Sequence, residues 1–361
     1  MISSQAFIIS LAGFLATVSG FQIGPLLSTC VDACQRGCIE IRKVQEARER
    51  GDDTSVVLKD VSDPRSALTV ADSMAQKIIV GSLRSHWGND LSIVGEEDDD
   101  EDLANEISKL IEENAFDKLD TTLFDDDLGE TADIDPCDIT VFVDPLDGTR
   151  EFVEGRLENC QVLVGIAIDG EAVAGAVGIP FPAGNLTDAE TVVYGLADFG
   201  TGVKGTPLRR GPYPLDTHID GLKFPRPHHA TGDSSAEVME ASRKATIKRF
   251  GGSNVIYGGA GNKILAAALG EVTCSIQHKI GGPWDLCAPE AILKGMGGRM
   301  TDMFGNDIEI YKTGDDSVAR CNERGYIASP PGSEEHFHQA LANALMNCPE
   351  VQEYKKEVIG E

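Results

Sequence analysis

From Leu26 to Ile41 apolar side chains return every three or four positions, at Leu26, Leu27, Cys30, Val31, Cys34, Cys38 and Ile41, which is the stripe of an amphipathic helix. A polar stretch, Gly51 to Asp63, reads as a loop or hairpin, and a second helix is predicted from about Ala67 to Arg84. A short apolar run, Leu91 to Val94, predicts a strand that ends in Gly95-Glu96-Glu97. Leu103, Ile107, Leu110 and Ile111 then mark one helical face inside a very acidic stretch. Strands are predicted at Ile139–Val143, Gln161–Ile168 and Ala172–Ile179, the last two joined by Asp169-Gly170, a favoured two-residue hairpin turn. Beyond a Gly- and Pro-rich segment, Gly200 to Pro227, strand and helix patterns alternate: Ser234–Arg249, Asn254–Tyr257, Asn262–Leu269, Val272–Ile276 and a helix from about Pro289. No internal repeat is present.

Length and composition place the chain among soluble globular proteins. Its 361 residues are enough for two packed subdomains, and 41% hydrophobic with 25% charged residues is ordinary. The net charge of −28 is not, and it argues against nucleic acid or an anionic membrane surface as partner. Much of the acidity, including Asp98-Asp99-Asp100-Glu101-Asp102, reads as solvated surface, because the spacing of a calcium-binding loop is absent. The nine cysteines show no C-x-x-C spacing, so a structural zinc site is not expected. Cys30, Cys34 and Cys38 lie along one side of a helix and read as small buried hydrophobes, with redox chemistry as the other reading.

Ile2 to Phe21 is apolar and uncharged and closes on Ser19-Gly20, like the core and cleavage region of a secretory signal without its basic start. A non-cleaved anchor, a buried helix and a plastid-targeting presequence are the other readings, so the compartment is open between secretory pathway, plastid and cytoplasm. If the presequence is cleaved, no stable membrane partner is expected. Asn185-Leu186-Thr187 is a glycosylation sequon only on a secretory route.

The chemistry is concentrated in three acidic places. Asp144-Pro145-Leu146-Asp147-Gly148-Thr149 follows an apolar strand, where a Pro/Gly turn can present two carboxylates and a carbonyl at one point, the all-oxygen set that hard divalent cations bind. A plain turn is the other reading of that string. Glu96-Glu97 ends the preceding strand, and Asp285, after Trp284, stands just before a predicted helix N-terminus that favours anions.

Together these pieces resemble the inositol monophosphatase superfamily of lithium-sensitive, magnesium-dependent phosphatases, over about Leu26 to Pro349. Within it, Asp144 to Gly155, Gly258 to Lys263 and Trp284 to Ile292 look most like the 3′(2′),5′-bisphosphate nucleotidases. The resemblance implies a layered αβαβα sandwich and about two to three Mg²⁺ ions. It implies Glu96, Asp144 and the Leu146 carbonyl as ligands of one ion, Asp144, Asp147 and Asp285 as ligands of a second, and Glu97 as a supporting acceptor. Asp72 and Thr149 would orient and deprotonate a metal-activated water, and Gly148, His228, Gly259 and Lys263 would meet the substrate. The implied reaction removes the 3′-phosphate of adenosine 3′,5′-bisphosphate, and of its phosphosulfate analogue PAPS, to leave AMP from the former. An inositol polyphosphate 1-phosphatase is the alternative within the superfamily, and a non-catalytic metal- or ligand-binding protein the alternative outside it. Two departures from the family pattern, Pro225 and Gly281-Gly282-Pro283, lie outside the metal motifs and bear on the substrate alone. The expected organisation is a targeting segment at 1–25, a metal-bearing α+β subdomain at 26–212, an α/β subdomain at 213–349 and a tail at 350–361.

Overall fold

The structure, a computed structural model, describes residues 21–360 apart from 51–55, 59–66, 99, 125–133, 209–216, 220–221, 225–227, 309–310, 312–322 and 333–334. Residues 1–20 of the targeting segment expected at 1–25, together with Pro225 and the expected boundary at 212/213, therefore lie outside the described residues. Helix α1 (Ile23–Arg50) and helix α2 (Val70–Trp87) pack on each other and on one face of a six-stranded sheet. That sheet runs in the order β3 (Ser92–Gly95), β4 (Ile139–Asp147), β5 (Gln161–Ile168), β6 (Glu171–Ile179), β7 (Thr191–Leu196), β8 (Gly200–Gly205). Its β3–β4 pair is parallel and the rest antiparallel. A hairpin of β1 (Val56–Leu58) and β2 (Ala67–Thr69) precedes α2, so the second helix starts three residues later than its pattern suggests. Helix α3 (Glu101–Glu112) lies against α2.

After an antiparallel pair, β9 (Thr217–Ile219) and β10 (Leu222–Phe224), the second sheet has the order β12 (Ser253–Ile256), β11 (His228–Thr231), β13 (Cys274–Gln277), β15 (Tyr326–Ser329), β14 (Arg299–Thr301), with the first three parallel. Between the sheets lie α6 (Ala260–Ala268) and α7 (Cys287–Gly295). Outside the second sheet lie α5 (Glu237–Phe250), α8 (Glu335–Met346) and α9 (Pro349–Ile359). The result is the αβαβα sandwich, and both sheets share the core around α6 and α7. The last residues, read from sequence as a tail, form α9, with Pro349 in its first turn. Among the described residues no helix is long and apolar enough to cross a membrane.

Helices on both faces explain why β4 and β5 read as unbroken apolar runs, with every residue of β4 buried. The β5–β6 hairpin closes on Asp169 (φ 55°) and Gly170 (φ 89°), the left-handed pair that a two-residue turn requires. Cys30, Cys34 and Cys38 are fully buried, and burial pushes the Cys30 and Cys38 thiols up, so they behave as packing groups.

A row of glycines decides how close α7 comes. Gly165 pairs with Gly175 and Gly175 with Gly195 across three strands. A methyl group on Gly175 would stand 2.6 Å from the Ala288 Cα, and one on Gly195 3.0 Å from the Ile292 Cα, so α7 lies directly on the sheet backbone. Gly175→Ala is expected to cost about 1–3 kcal/mol, read as a lower Tm, because the opposing atoms are backbone and cannot step aside. A Tm equal to wild type would show that the helix can shift freely.

Candidate active site and metal centre

Side chains alternate across a strand, so residues three apart, such as Asp144 and Asp147, ordinarily face opposite ways. Here the pairing runs Asp144 to Leu163 and then Asp147 to Gln161, three residues of β4 against two of β5. This one-residue bulge reverses the phase and turns both carboxylates to the same side. Pro145, which has no amide to donate, is tolerated at such a break. Gly148 follows in the left-handed region (φ 89°), and its missing side chain faces the Asn159 carbonyl at 2.9 Å. It serves the turn into helix α4 (Thr149–Val153).

Asp285 arrives from the far end of the sequence, in a single helical turn (Pro283–Asp285) just before α7. Its Oδ2 accepts the amides of Gly281 and Gly282. The expectation that the Gly281-Gly282-Pro283 departure bears on the substrate alone is therefore corrected, since the Gly281 and Gly282 amides hold a carboxylate of the cluster.

Asp144, Asp147 and Asp285 are all buried and offer oxygens within 4.8 Å of one another. Glu96, in the turn after β3, reaches Asp144 closely enough to share a hydrogen bond with it. Burial first, and then the charges of Glu96, Asp147 and Asp285, hold the Asp144 carboxyl well above the usual range. Burial and the Asp285 charge push Asp147 up to about 6, against the opposing pull of Lys263 and two amides. Asp285 is raised as well, chiefly by burial. Glu97 is buried. Asp98 accepts the Gly95 amide at 2.8 Å and the Gln76 amide group at 3.0 Å, which ties this turn to α2. The role of Asp98 carries no signal in the sequence, where it is one of seven consecutive acidic residues, Glu96 to Asp102.

Asp72 sits in the first turn of α2, buried, and its Oδ1 accepts the Thr149 hydroxyl at 3.1 Å. The Leu146 carbonyl accepts from the same hydroxyl at 3.0 Å. Asp147 reaches the start of α6: its Oδ1 accepts the Ala260 amide at 2.8 Å and its Oδ2 the Asn262 amide at 3.2 Å. Lys263 is buried, and its ammonium donates to the carbonyls of Gly259 and Tyr257. Burial lowers its pKa while Asp147 and Asp285 hold it up.

His228 does not join this group. It opens β11, where its Nδ1 meets Ser253 Oγ at 2.9 Å at the start of β12. The parallel strands run from there towards Thr231 and Ile256, and α6 with its Asp147 contacts begins just after Tyr257. His228 is thus about 10 Å of strand away from the end that faces the carboxylates. That end carries Thr231, Gly232 and Asp233, and Asp233 pairs with Arg150 at 2.6 Å.

The donor set is all oxygen, with no histidine or cysteine in the cluster found among the described residues, and its like charges are buried together with Lys263 as a counter-charge. A hard divalent cation fits it. The model of the inositol monophosphatase family matches residues 40–350 of the chain. The chain belongs to the inositol monophosphatase family. Its class is that of a phosphatase, as its relatives' names also have it. The mouse protein 3′(2′),5′-bisphosphate nucleotidase 1 is 32% identical over 285 residues, 77% of this chain and 84% of its own length. The protein of that name from Dictyostelium discoideum is 31% identical over 332 residues, 89% of this chain and 96% of its own length. Among solved structures, the extragenic suppressor protein suhB of Bartonella henselae aligns with a TM-score of 0.59 at 18% identity, over 89% of this chain and 98% of its own. At that identity the likeness shows the fold, which is that of this family.

Proposed function

We propose that this phosphatase removes the 3′-phosphate of adenosine 3′,5′-bisphosphate, and of PAPS, with magnesium ions held by the carboxylate cluster. The observation that carries the reading is the convergence of Asp144, Asp147 and Asp285, from two distant parts of the chain, within 4.8 Å. Glu96, Asp144 and the Leu146 carbonyl would hold one ion, and Asp144, Asp147 and Asp285 a second, with a weaker third near Glu96. Bound there, the ions would neutralise phosphoryl oxygens and lower the pKa of a water, which an enzyme of net charge −28 acting on an anion needs.

The protein's own groups manage the proton. Thr149 has one hydroxyl hydrogen, which both Asp72 Oδ1 and the Leu146 carbonyl reach; with that carbonyl given over to an ion, the hydrogen would go to Asp72 and the Thr149 oxygen would be left as an acceptor for a hydrogen of the attacking water. When that water loses its proton to Thr149, the Thr149 proton passes to Asp72. Glu97 backs Glu96, and the amides of Gly281, Gly282, Ala260 and Asn262 hold Asp285 and Asp147 in place. The choice of a nucleotide rests on the relatives named bisphosphate nucleotidases, which the chain matches over most of its length.

Phosphate release from adenosine 3′,5′-bisphosphate should exceed that from inositol 1,4-bisphosphate by at least about tenfold at equal concentration, a difference of about 1.4 kcal/mol in transition-state binding. Release should need magnesium and fall when lithium is added. Faster turnover of the inositol compound would replace the nucleotide reading with that of an inositol polyphosphate 1-phosphatase.

A further inference from the structure

Arg150, the residue after Thr149, is partly exposed and divides its guanidinium between two carboxylates. Its Nη1 donates to Asp233 Oδ2 at 2.6 Å and its Nε to Glu154 Oε1 at 2.9 Å. Arg156 lies on Glu151 and on the same Glu154. Two guanidiniums are thus shared among three carboxylates, and the patch these five groups form is net negative. Asp233 is fixed in place from beneath. Arg243 on α5, buried, donates its Nε to Thr231 Oγ1 at 3.2 Å and its Nη2 to the carbonyls of Gly232 and Ser234, both at 2.7 Å. Those two carbonyls flank Asp233, so the turn after β11 holds that carboxylate at the strand end that faces the cluster. From there its charge reaches Lys263, whose ammonium lies on the Gly259 carbonyl, next in the chain to the Ala260 amide that Asp147 accepts.

Magnitudes decide what this pair can do. At 34% and 53% side-chain exposure the Arg150–Asp233 bridge is solvated, and such a pair resists opening by only about a two- to fivefold factor. A phosphate offers a guanidinium two parallel charge-assisted hydrogen bonds, so it competes with Asp233 on favourable terms, while a neutral hydroxyl does not. The phosphate to be removed would sit at the carboxylate cluster beside Thr149, and the next residue in the chain is placed to meet a second one. We propose that Arg150 is a specificity-determining residue: it exchanges Asp233 for the phosphate that the reaction leaves in place, with Asp233 as the competitor. This rests on a substrate with two phosphates, as proposed above. The exchange has a signature in sign. Removing Arg150 weakens binding of the bisphosphate and removing the Asp233 charge strengthens it, whereas a bridge that only ties α4 to the turn after β11 responds alike to either loss.

The experiment measures steady-state rates with magnesium for the full chain and for Arg150→Ala, Arg150→Lys and Asp233→Asn. The substrates are adenosine 3′,5′-bisphosphate and adenosine 3′-monophosphate, which share the reacting phosphate and differ in the second one. Inositol 1,4-bisphosphate and inositol 1-phosphate form a parallel pair. Wild type should favour the bisphosphate at least about tenfold in kcat/KM. Arg150→Ala should raise KM for the bisphosphate about 10- to 100-fold with kcat little changed, and leave the monophosphate within about threefold of wild type. Arg150→Lys, which keeps the charge and loses the fork, should fall between. Asp233→Asn should lower KM for the bisphosphate about two- to fivefold. A wild type indifferent to the second phosphate, an equal loss on both substrates in Arg150→Ala, or a KM rise in Asp233→Asn matching that of Arg150→Ala overturns the exchange. Turnover confined to the inositol pair removes the nucleotide reading, and the bisphosphate-to-monophosphate ratio in that pair then judges Arg150 in the same way. A chain that turns over neither bisphosphate overturns both.

Discussion

Asp144→Asn is expected to lower kcat/KM by more than about 10³-fold, beyond the loss of a single transition-state hydrogen bond, while making the metal-free protein more stable. The two effects share one cause. Asp144 is buried beside Glu96, Asp147 and Asp285, and its carboxyl is raised by burial and then by their charges. A folded pKa above the unfolded one means that the folded state binds more protons between the two values, so stability falls as pH rises through that window. Asp147, pushed up to about 6 against an ordinary 3.8, loses stability in the same direction over that interval. Asparagine at 144 keeps the oxygen that accepts the Leu146 amide and removes the charge. With chelator present, the variant should therefore melt above wild type at pH 8, and the gap should close towards pH 4. Adding magnesium should reverse the order, because the wild type gains the free energy of binding and the variant loses most of it. Thermal unfolding at both pH values, with and without the ion, is the measurement. A metal-free variant that melts below wild type at pH 8 would show that the carboxylates do not repel as their burial requires.

The carboxylates that meet here could be picked out of the sequence, and their geometry could not. Glu96, Asp144, Asp147 and Asp285 stand out because the strings that carry them resemble the family's motifs. That Asp144 and Asp147 face one way depends on a bulge, and a bulge is a property of how two strands pair, which neither strand carries alone. His228 shows the same limit. Its chemistry suits a site, but which end of β11 faces the carboxylates follows from parallel pairing with β12 and from where α6 begins. In the fold, the β5–β6 hairpin is local, since Asp169-Gly170 sets the turn and the register together. Strand β8 (Gly-Thr-Gly-Val-Lys-Gly) has too many glycines to read as a strand and gains its place by pairing with β7 at the sheet edge. The Gly165, Gly175 and Gly195 row has meaning only once α7 lies across it.

Asp72→Asn is expected to lower kcat about 10²- to 10⁴-fold with KM and cation affinity little changed, the scale of losing a positioned proton acceptor. Asparagine can still accept the Thr149 hydroxyl through Oδ1, so the 3.1 Å contact survives and the loss falls on proton transfer rather than on structure. Thr149→Val removes the hydroxyl that both Asp72 and the Leu146 carbonyl engage, and its loss should be of similar size. Thr149→Ser keeps the hydroxyl and should retain most of the rate. If the two residues act as one relay, the double variant Asp72→Asn/Thr149→Val should be no worse than the poorer single variant, since a broken relay cannot be broken twice. Two independent contributions would instead multiply. Single-turnover rates for the four proteins separate these outcomes, and a multiplicative loss, or an Asp72→Asn enzyme close to wild type, would remove Asp72 from the proton path and leave it as a buried support for the Thr149 turn.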